Sequence, residues 1–395
     1  MLALSRIIGA GYLLLALVVV GMSALLGPLP FSAAPIPIFA GPPGAPVELS
    51  IAYGTEKEAW LEEAVRRFEE TNPQVGRAPV TITLEGVGSR EGVQEIVGGN
   101  RKPVVFSPAS SIQVELLRSE WEARQGSSIL HSDNNAPQPL VYTPLVVVAW
   151  EERAHELWPN GPEDLWHHLH EVLSNSEGWG AFGHPEWGVA KFGHTSPETS
   201  NSGIQTLVLL TYAYHNKTTG LTTQDVLDQA YQQWLDGIEN SVLEFGNSTG
   251  TFMKNMINFG PGKYDFVVVY ENLAIENVEA ARGRWGQDLR VYYPPATIFS
   301  DHPYTILNAE WVSDEQREAA RLFRDFLLSE EIQALAIEYG FRPASSRVSV
   351  SSSDSPFVRY AEYNVRAEDL PPQIDIPDAE VLHGLLDLWR RRYGQ

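Results

Sequence analysis

"VELSIAYGTEKEAWLEEAVRRFEETNP", residues 47–73, is the stretch on which the fold class turns. Its first seven residues alternate apolar and polar, as a strand with one buried face does. After Gly54 the pattern changes period. Thr55 followed three residues later by Glu58 has the form of a capping box, and Trp60, Ala64 and Phe68 then recur on one helical face until Asn72-Pro73 ends the element. Strand, short turn and amphipathic helix make half of a βαβ unit.

The same order repeats outward from there. "VTITLEGVGS" (80–89) alternates as a strand and "EGVQEIV" (91–97) reads as a short helix, while "KPVVFSPASSIQVELLRSEW" (102–121) is strand, loop and helix again. Three such units in succession predict an α/β fold with a parallel, doubly wound sheet. "QPLVYTPLVVVAW" (138–150) is β-branched but interrupted by Pro144, which suits a strand passing from one domain to another. From Glu151 to about Gly262 the pattern is mainly helical. "KYDFVVVYENLAIENV" (263–278) returns to strand, loop and helix, and "LRVYYPPATIFSDHPYTIL" (289–307) is a second Pro-interrupted crossing. Ser313 with Gln316 opens one later helix, Ser329 opens the next, and Gly340 closes it. "AEVLHGLLDLWRRR" (379–392) carries an apolar stripe of Val381, Leu385, Leu388 and Trp389, and "SSRVSVSSSDS" (345–355) reads as a surface loop.

Of the 395 residues none is cysteine, which excludes disulfides, thiol catalysis and Cys-ligated zinc. The formal charge of −22 argues against nucleic acid as a partner, since phosphate recognition needs clustered Lys and Arg. The uncharged run Ile7–Leu26 behind Arg6 is about the 20 residues that cross a bilayer, so residues 1–30 are read as a signal peptide or signal-anchor helix and the chain as extracytoplasmic. The length of that run and Pro35 at the small-residue site favour a retained membrane anchor. Residues 31–46 are a Pro-rich spacer.

In this order, "AYGTEKEAWLEEAVRRFEETNP", "VVFSPASSIQVELL", "LVYTPLVVVAW", "FGHTSPETSNSGIQTLVLLTYAY", "VVVYENLAI" and "SDEQREAARLFRDFLLSEEIQALAIEYGFRPA" resemble a bacterial extracellular solute-binding protein. The resemblance is to the type II periplasmic-binding-protein fold, in the group related to molybdate and sulfate binders, and it spans the chain from Val47 onward. It implies two doubly wound α/β lobes joined by two hinge crossover strands. The first lobe would take 47–143, the second 144–294, and 295–395 would return to the first. It also implies that the lobes close on a small polar ligand, then passed to an ABC permease, with no cofactor and no catalytic residue.

Site candidates follow from helix starts after strands. Ser200, Asn201 and Ser202 open a helix with an apolar body, where unpaired N–H donors suit an anion or polar acceptor. Ser110 and Ser111 are the counterpart in the other lobe. Thr55 and Ser89, with Arg90 beside it, hold equivalent loop positions. Tyr270 and Glu271 end the strand "FVVVY", and Glu271 disfavours an anion nearby, so oxyanion, sugar and amine remain open as ligands. Each hydroxyl has a plain capping reading beside the functional one, and Arg90, a clamp for a carboxylate or oxyanion in the functional reading, has the commoner reading of a solvated surface arginine. Asp301, His302 and Tyr304 read as hinge packing or cleft lining. "DLWHHLHEVL" offers His167, His170 and Glu171 as an incomplete metal face, and Asn216 and Asn247 sit in formal glycosylation sequons. No HExxH, GxSxG, Walker A or GxGxxG pattern supports the exported-hydrolase alternative. A membrane-tethered sensory or adaptor module on the same fold is the other alternative.

Overall fold

Residues 47–73 fold as strand β1 (Val47–Tyr53), a 3-10 turn over Thr55–Lys57 and a helix over Glu58–Glu70. Leu49 and Ile51 are buried on one side of the strand, and the helix buries Trp60, Leu61, Ala64 and Phe68. The computed structural model describes residues 44–159 and 161–394. The N-terminal segment 1–30 and most of the Pro-rich spacer lie outside the described residues. Among the described residues no helix is long and apolar enough to cross a membrane.

The capping box expected at Thr55 does not form. The chain tightens into the 3-10 turn at Gly54, the long helix starts after Lys57, and neither start has a side-chain cap. The box expected at Ser313 does form: its hydroxyl accepts from Gln316 N at 3.2 Å and the Gln316 side chain accepts from Ser313 N at 3.0 Å.

Along the chain follow β2 (Gln74–Val75), β3 (Ala78–Gly86), β4 (Val105–Ser107) and β5 (Gln138–Pro139). Both β3 and β4 run parallel to β1, with helices Ser89–Gly98 and Ser111–Gln125 after them, as repeated strand-to-helix units require. β6 (Val141–Trp150) then leaves this sheet. Its run from Leu145 to Trp150 is fully buried, which explains why it reads as continuous β-branched residues rather than alternation. β6 pairs antiparallel with β8 (Phe266–Tyr270) and β9 (Leu289–Tyr292), and β7 (Phe192–Gly193) lies parallel to β8. These form the second sheet.

The return is made through β10 (Phe299–Ser300), which pairs antiparallel with Thr143 and Pro144 of β6, and β11 (Pro303–Ile306), which inserts antiparallel between β4 and β5. Pro144 thus stands at the crossing, opposite Phe299, where it interrupts neither sheet's centre. β12 (Arg342–Pro343) adds to the N-terminal end of β6. The first sheet runs β2-β3-β1-β4-β11-β5, and the second centres on β6 and β8.

The C-terminal stretch differs from the expected division. The helix Ala379–Arg392 packs mainly on helices of the second lobe: Trp389 Nε1 donates to Glu239 Oε2 at 2.9 Å, and Arg390 pairs with Glu198 at 2.5 Å. The physical reason is the apolar stripe of Val381, Leu385, Leu388 and Trp389, all buried there. Residues 373–375 also join that lobe, through a bridge from Gln373 to Thr297 and a bond from Asp375 N to Thr218 O.

Candidate functional site

Helices start where strands end, and here several starts converge on one seam between the two lobes. Asn201, first residue of the helix Asn201–Tyr214, reaches across it. Its Oδ1 accepts from Ser110 Oγ at 2.8 Å and Gln113 Nε2 at 3.1 Å in the first lobe, and its Nδ2 donates to Tyr270 Oη at 3.0 Å. The plain capping reading fails for both Ser110 and Ser200, whose hydroxyls make no cap to their own helices. Ser200 and Ser202 instead join Thr195 and Thr249 in a buried hydroxyl cluster, with Ser202 to Thr249 at 2.7 Å and Ser202 to Thr195 at 2.7 Å. A second crossing lies beside it. The Thr199 carbonyl accepts from Arg90 N and Glu91 N, each at 3.2 Å, at the start of the helix Ser89–Gly98. So the helix-end donors of the first lobe already hold oxygens supplied by the second.

Burial pushes the Tyr270 phenol far up, with the Glu56 carboxylate adding to it. Glu56 itself is buried with Lys57 and His302: Lys57 Nζ donates to Glu56 Oε1 at 2.8 Å and to Pro108 O at 3.2 Å, and His302 Nδ1 lies 3.2 Å from Glu56 Oε1. Burial alone would raise the Glu56 carboxyl, but Lys57 and His302 outweigh it and bring it down to about 2. Burial lowers both Lys57 and His302. His302 is held at φ +43°, its N–H bonded to Ala109 O at 3.1 Å, and it packs edge-on to Phe341.

Other candidates have different partners. Ser111 N donates to Asp301 Oδ1 at 2.7 Å and its hydroxyl to Asp301 Oδ2, so Asp301 fixes this helix start to the crossover. Ser89 Oγ accepts from Ala109 N at 3.0 Å within the first lobe. Glu271 is fully buried and points to Arg342, at 2.7 and 2.8 Å, and accepts from Tyr293. That pairing removes the charge expected to repel an anion at the cleft. Arg90, open to reading as a solvated surface residue, is 5% exposed and pairs with Glu120 at 2.6 Å. Tyr304 is buried in the first lobe. His170 stacks on Trp234 with ring centroids 5.1 Å apart, and among the described residues no cluster of three His, Asp or Glu side chains is placed to hold a metal.

Beside the seam a cavity of about 500 Å³ opens between the lobes. The first lobe contributes Thr55 to Trp60 except Lys57, together with Glu338, Tyr339 and Phe341. The second contributes Gly250, Thr251, Lys254, Asn272, Leu273, Ile275 and Glu276, and Pro356, Arg359 and Tyr360 close one side. Of the nine residues the sequence points to, Thr55 alone lines it. Asn272 ties its floor across the lobes, with Nδ2 donating to Glu56 O at 3.0 Å. Sequence reasoning missed Asn272 as a cleft residue although it stands next to Tyr270–Glu271, and missed Gly250, whose lack of a side chain lets it sit against Thr55.

Two α/β lobes joined by two antiparallel crossings, with a cavity walled by both, define a two-lobed binding protein. The chain belongs to the bacterial extracellular solute-binding protein family, whose description matches residues 49–342, and this places its work outside the cytoplasm. Solved structures share the fold at low identity. The sulfate-binding protein SubI of Mycobacterium tuberculosis H37Rv is 16% identical over 83% of this chain and 94% of its own, with TM-score 0.53. A periplasmic thiamin binding protein is 14% identical over 89% and 98%, with TM-score 0.59. Iron-bound HitA of Pseudomonas aeruginosa is 17% identical over 88% and 99%, with TM-score 0.54. These neighbours, like the family, are binding proteins. No curated protein sequence matches.

Proposed function

We propose that this chain captures a small polar solute between its two lobes and delivers it to an ABC-type permease, tethered to the membrane by the run Ile7–Leu26. The observation that carries the reading is the cavity of about 500 Å³ to which both lobes contribute walls, within the size range of small-molecule sites. Closure needs a ligand that binds the closed arrangement better than the open one. Cross-lobe contacts of Asn201, Thr199 and Asn272 hold the closed arrangement, and a ligand touching both walls adds to them. The work is binding and release, with no covalent step.

The test is a thermal-shift screen of the full chain against oxyanions, sugars, amino acids, organic amines and divalent metals. A solute at about a hundred times its Kd adds about 2.7 kcal/mol to stability, and one chemical class is expected to respond. Silence across the whole panel would remove solute capture and leave a sensory or adaptor role.

A further inference from the structure

We propose that the cavity between the lobes takes an organic cation, an ammonium carried on an apolar or aromatic body. This deepens the capture reading and rests on it. The seam beside the cavity is rich in donors, which would favour an anion, but Ser110 Oγ, Gln113 Nε2 and the backbone N–H groups of Arg90 and Glu91 are already met. Asn201 Oδ1 holds Ser110 and Gln113, and the Thr199 carbonyl holds the start of the helix Ser89–Gly98. The buried carboxylate Glu56 is likewise matched by Lys57. The cavity wall, by contrast, holds carboxylates with no cation paired to them. Glu58, Glu276 and Glu338 line it, and among the described residues none of them makes a salt bridge. Against these three stand two cations, Lys254 and Arg359, so the wall keeps an excess of one negative charge. The Arg359 guanidinium lies over the Tyr360 ring, 4.9 Å from its centroid.

The rest of the lining sets the body of the ligand. Trp60, Leu273, Ile275 and Phe341 back the wall almost wholly buried, while Tyr339, half-buried at the wall, offers the aromatic surface. An ammonium near carboxylates and an aromatic face is stabilised by both, and burial of its hydrocarbon part adds to that. The net charge of −22 also raises the local concentration of cations around the whole protein.

Three probes of similar size test the charge: benzyltrimethylammonium, benzyl alcohol and benzenesulfonate, titrated calorimetrically into the full chain. The cation is expected to bind most tightly, to weaken as salt is raised, and to weaken about tenfold in the E276Q/E338Q double variant. Both carboxylates are exposed, so that variant should keep the melting temperature of the parent. Y339A is expected to weaken benzyltrimethylammonium more than tetramethylammonium, reading the aromatic wall separately. Benzenesulfonate binding as tightly as the cation, or cation binding unchanged in the double variant, would overturn the proposal. Stabilisation by sulfate or glucose with no response to benzyltrimethylammonium would overturn the cation and leave capture standing. Silence from every solute would overturn both.

Discussion

The seam and the cavity are neighbours between the same two lobes, yet they handle polar groups in opposite ways. In the seam, hydroxyls and amides are buried and bonded to one another, as at Asn201, Ser110, Ser202 and Thr249. In the cavity wall, Glu58, Glu276 and Glu338 make no salt bridge among the described residues. A buried donor without a partner costs about 1–3 kcal/mol, whereas an exposed carboxylate costs almost nothing until something covers it. The seam therefore works as a latch that the protein completes by itself. The cavity is the part that an added molecule could complete.

The largest effect is expected at Lys57, which is buried against the cavity-lining Glu56. K57M removes the partner of a buried carboxylate and should destabilise the fold by about 3–5 kcal/mol, read from urea unfolding. The pH dependence has a definite sign. Glu56 is depressed to about 2 in the folded state, so its contribution is full above the ordinary carboxylate range and is lost as pH falls from about 4.5 to about 2. His302, lowered by burial, acts in the same direction, because the unfolded chain takes up its proton first as pH drops below about 6.5. Stability that rises on acidification through that range would contradict the buried cluster.

Next in size is a change that separates latch from cavity without touching a polar side chain. A Cβ on Gly88 would lie 2.5 Å from the Thr199 carbonyl, which is backbone and cannot swing away. G88A should push the lobes apart at a cost of about 1–3 kcal/mol, weakening any solute bound in the cavity although Gly88 does not line it. Unchanged affinity would show that cavity binding does not depend on closure. N201A should cost a similar 1–3 kcal/mol, since it strands the Ser110 hydroxyl and the Gln113 amide and removes one of the Tyr270 hydroxyl's partners. Faster hydrogen exchange at the starts of the helices Ser111–Gln125 and Asn201–Tyr214 is the readout.

Much of the fold was legible because periodicity is local. The strand-to-helix order, the two Pro-marked crossings and the polar helix start at 199–203 all appear within windows of a few residues. The pairings that give the site its chemistry span far greater distances in sequence: Ser110 with Asn201, Glu271 with Arg342, Lys57 with His302. No local pattern announces them. Ser200 looks like a cap by composition, and only the approach of Thr249 from another helix explains why its hydroxyl turns elsewhere. The cavity was illegible for the same reason, as it is assembled from five separated stretches of chain.

The smallest predicted effects compare two sites that have the same sequence signature. Thr55 with Glu58 and Ser313 with Gln316 both read as capping boxes, but only the second forms. S313A should therefore cost about 1 kcal/mol, the usual loss of an N-cap, and leave solute affinity untouched because Ser313 does not line the cavity. T55A has no cap to lose and should change stability by less than about 0.5 kcal/mol. Thr55 does line the cavity beside Gly250, so its loss should register in affinity rather than in melting temperature. If T55A instead costs as much stability as S313A with binding unchanged, the turn at Thr55–Lys57 is capped after all and Thr55 leaves the site.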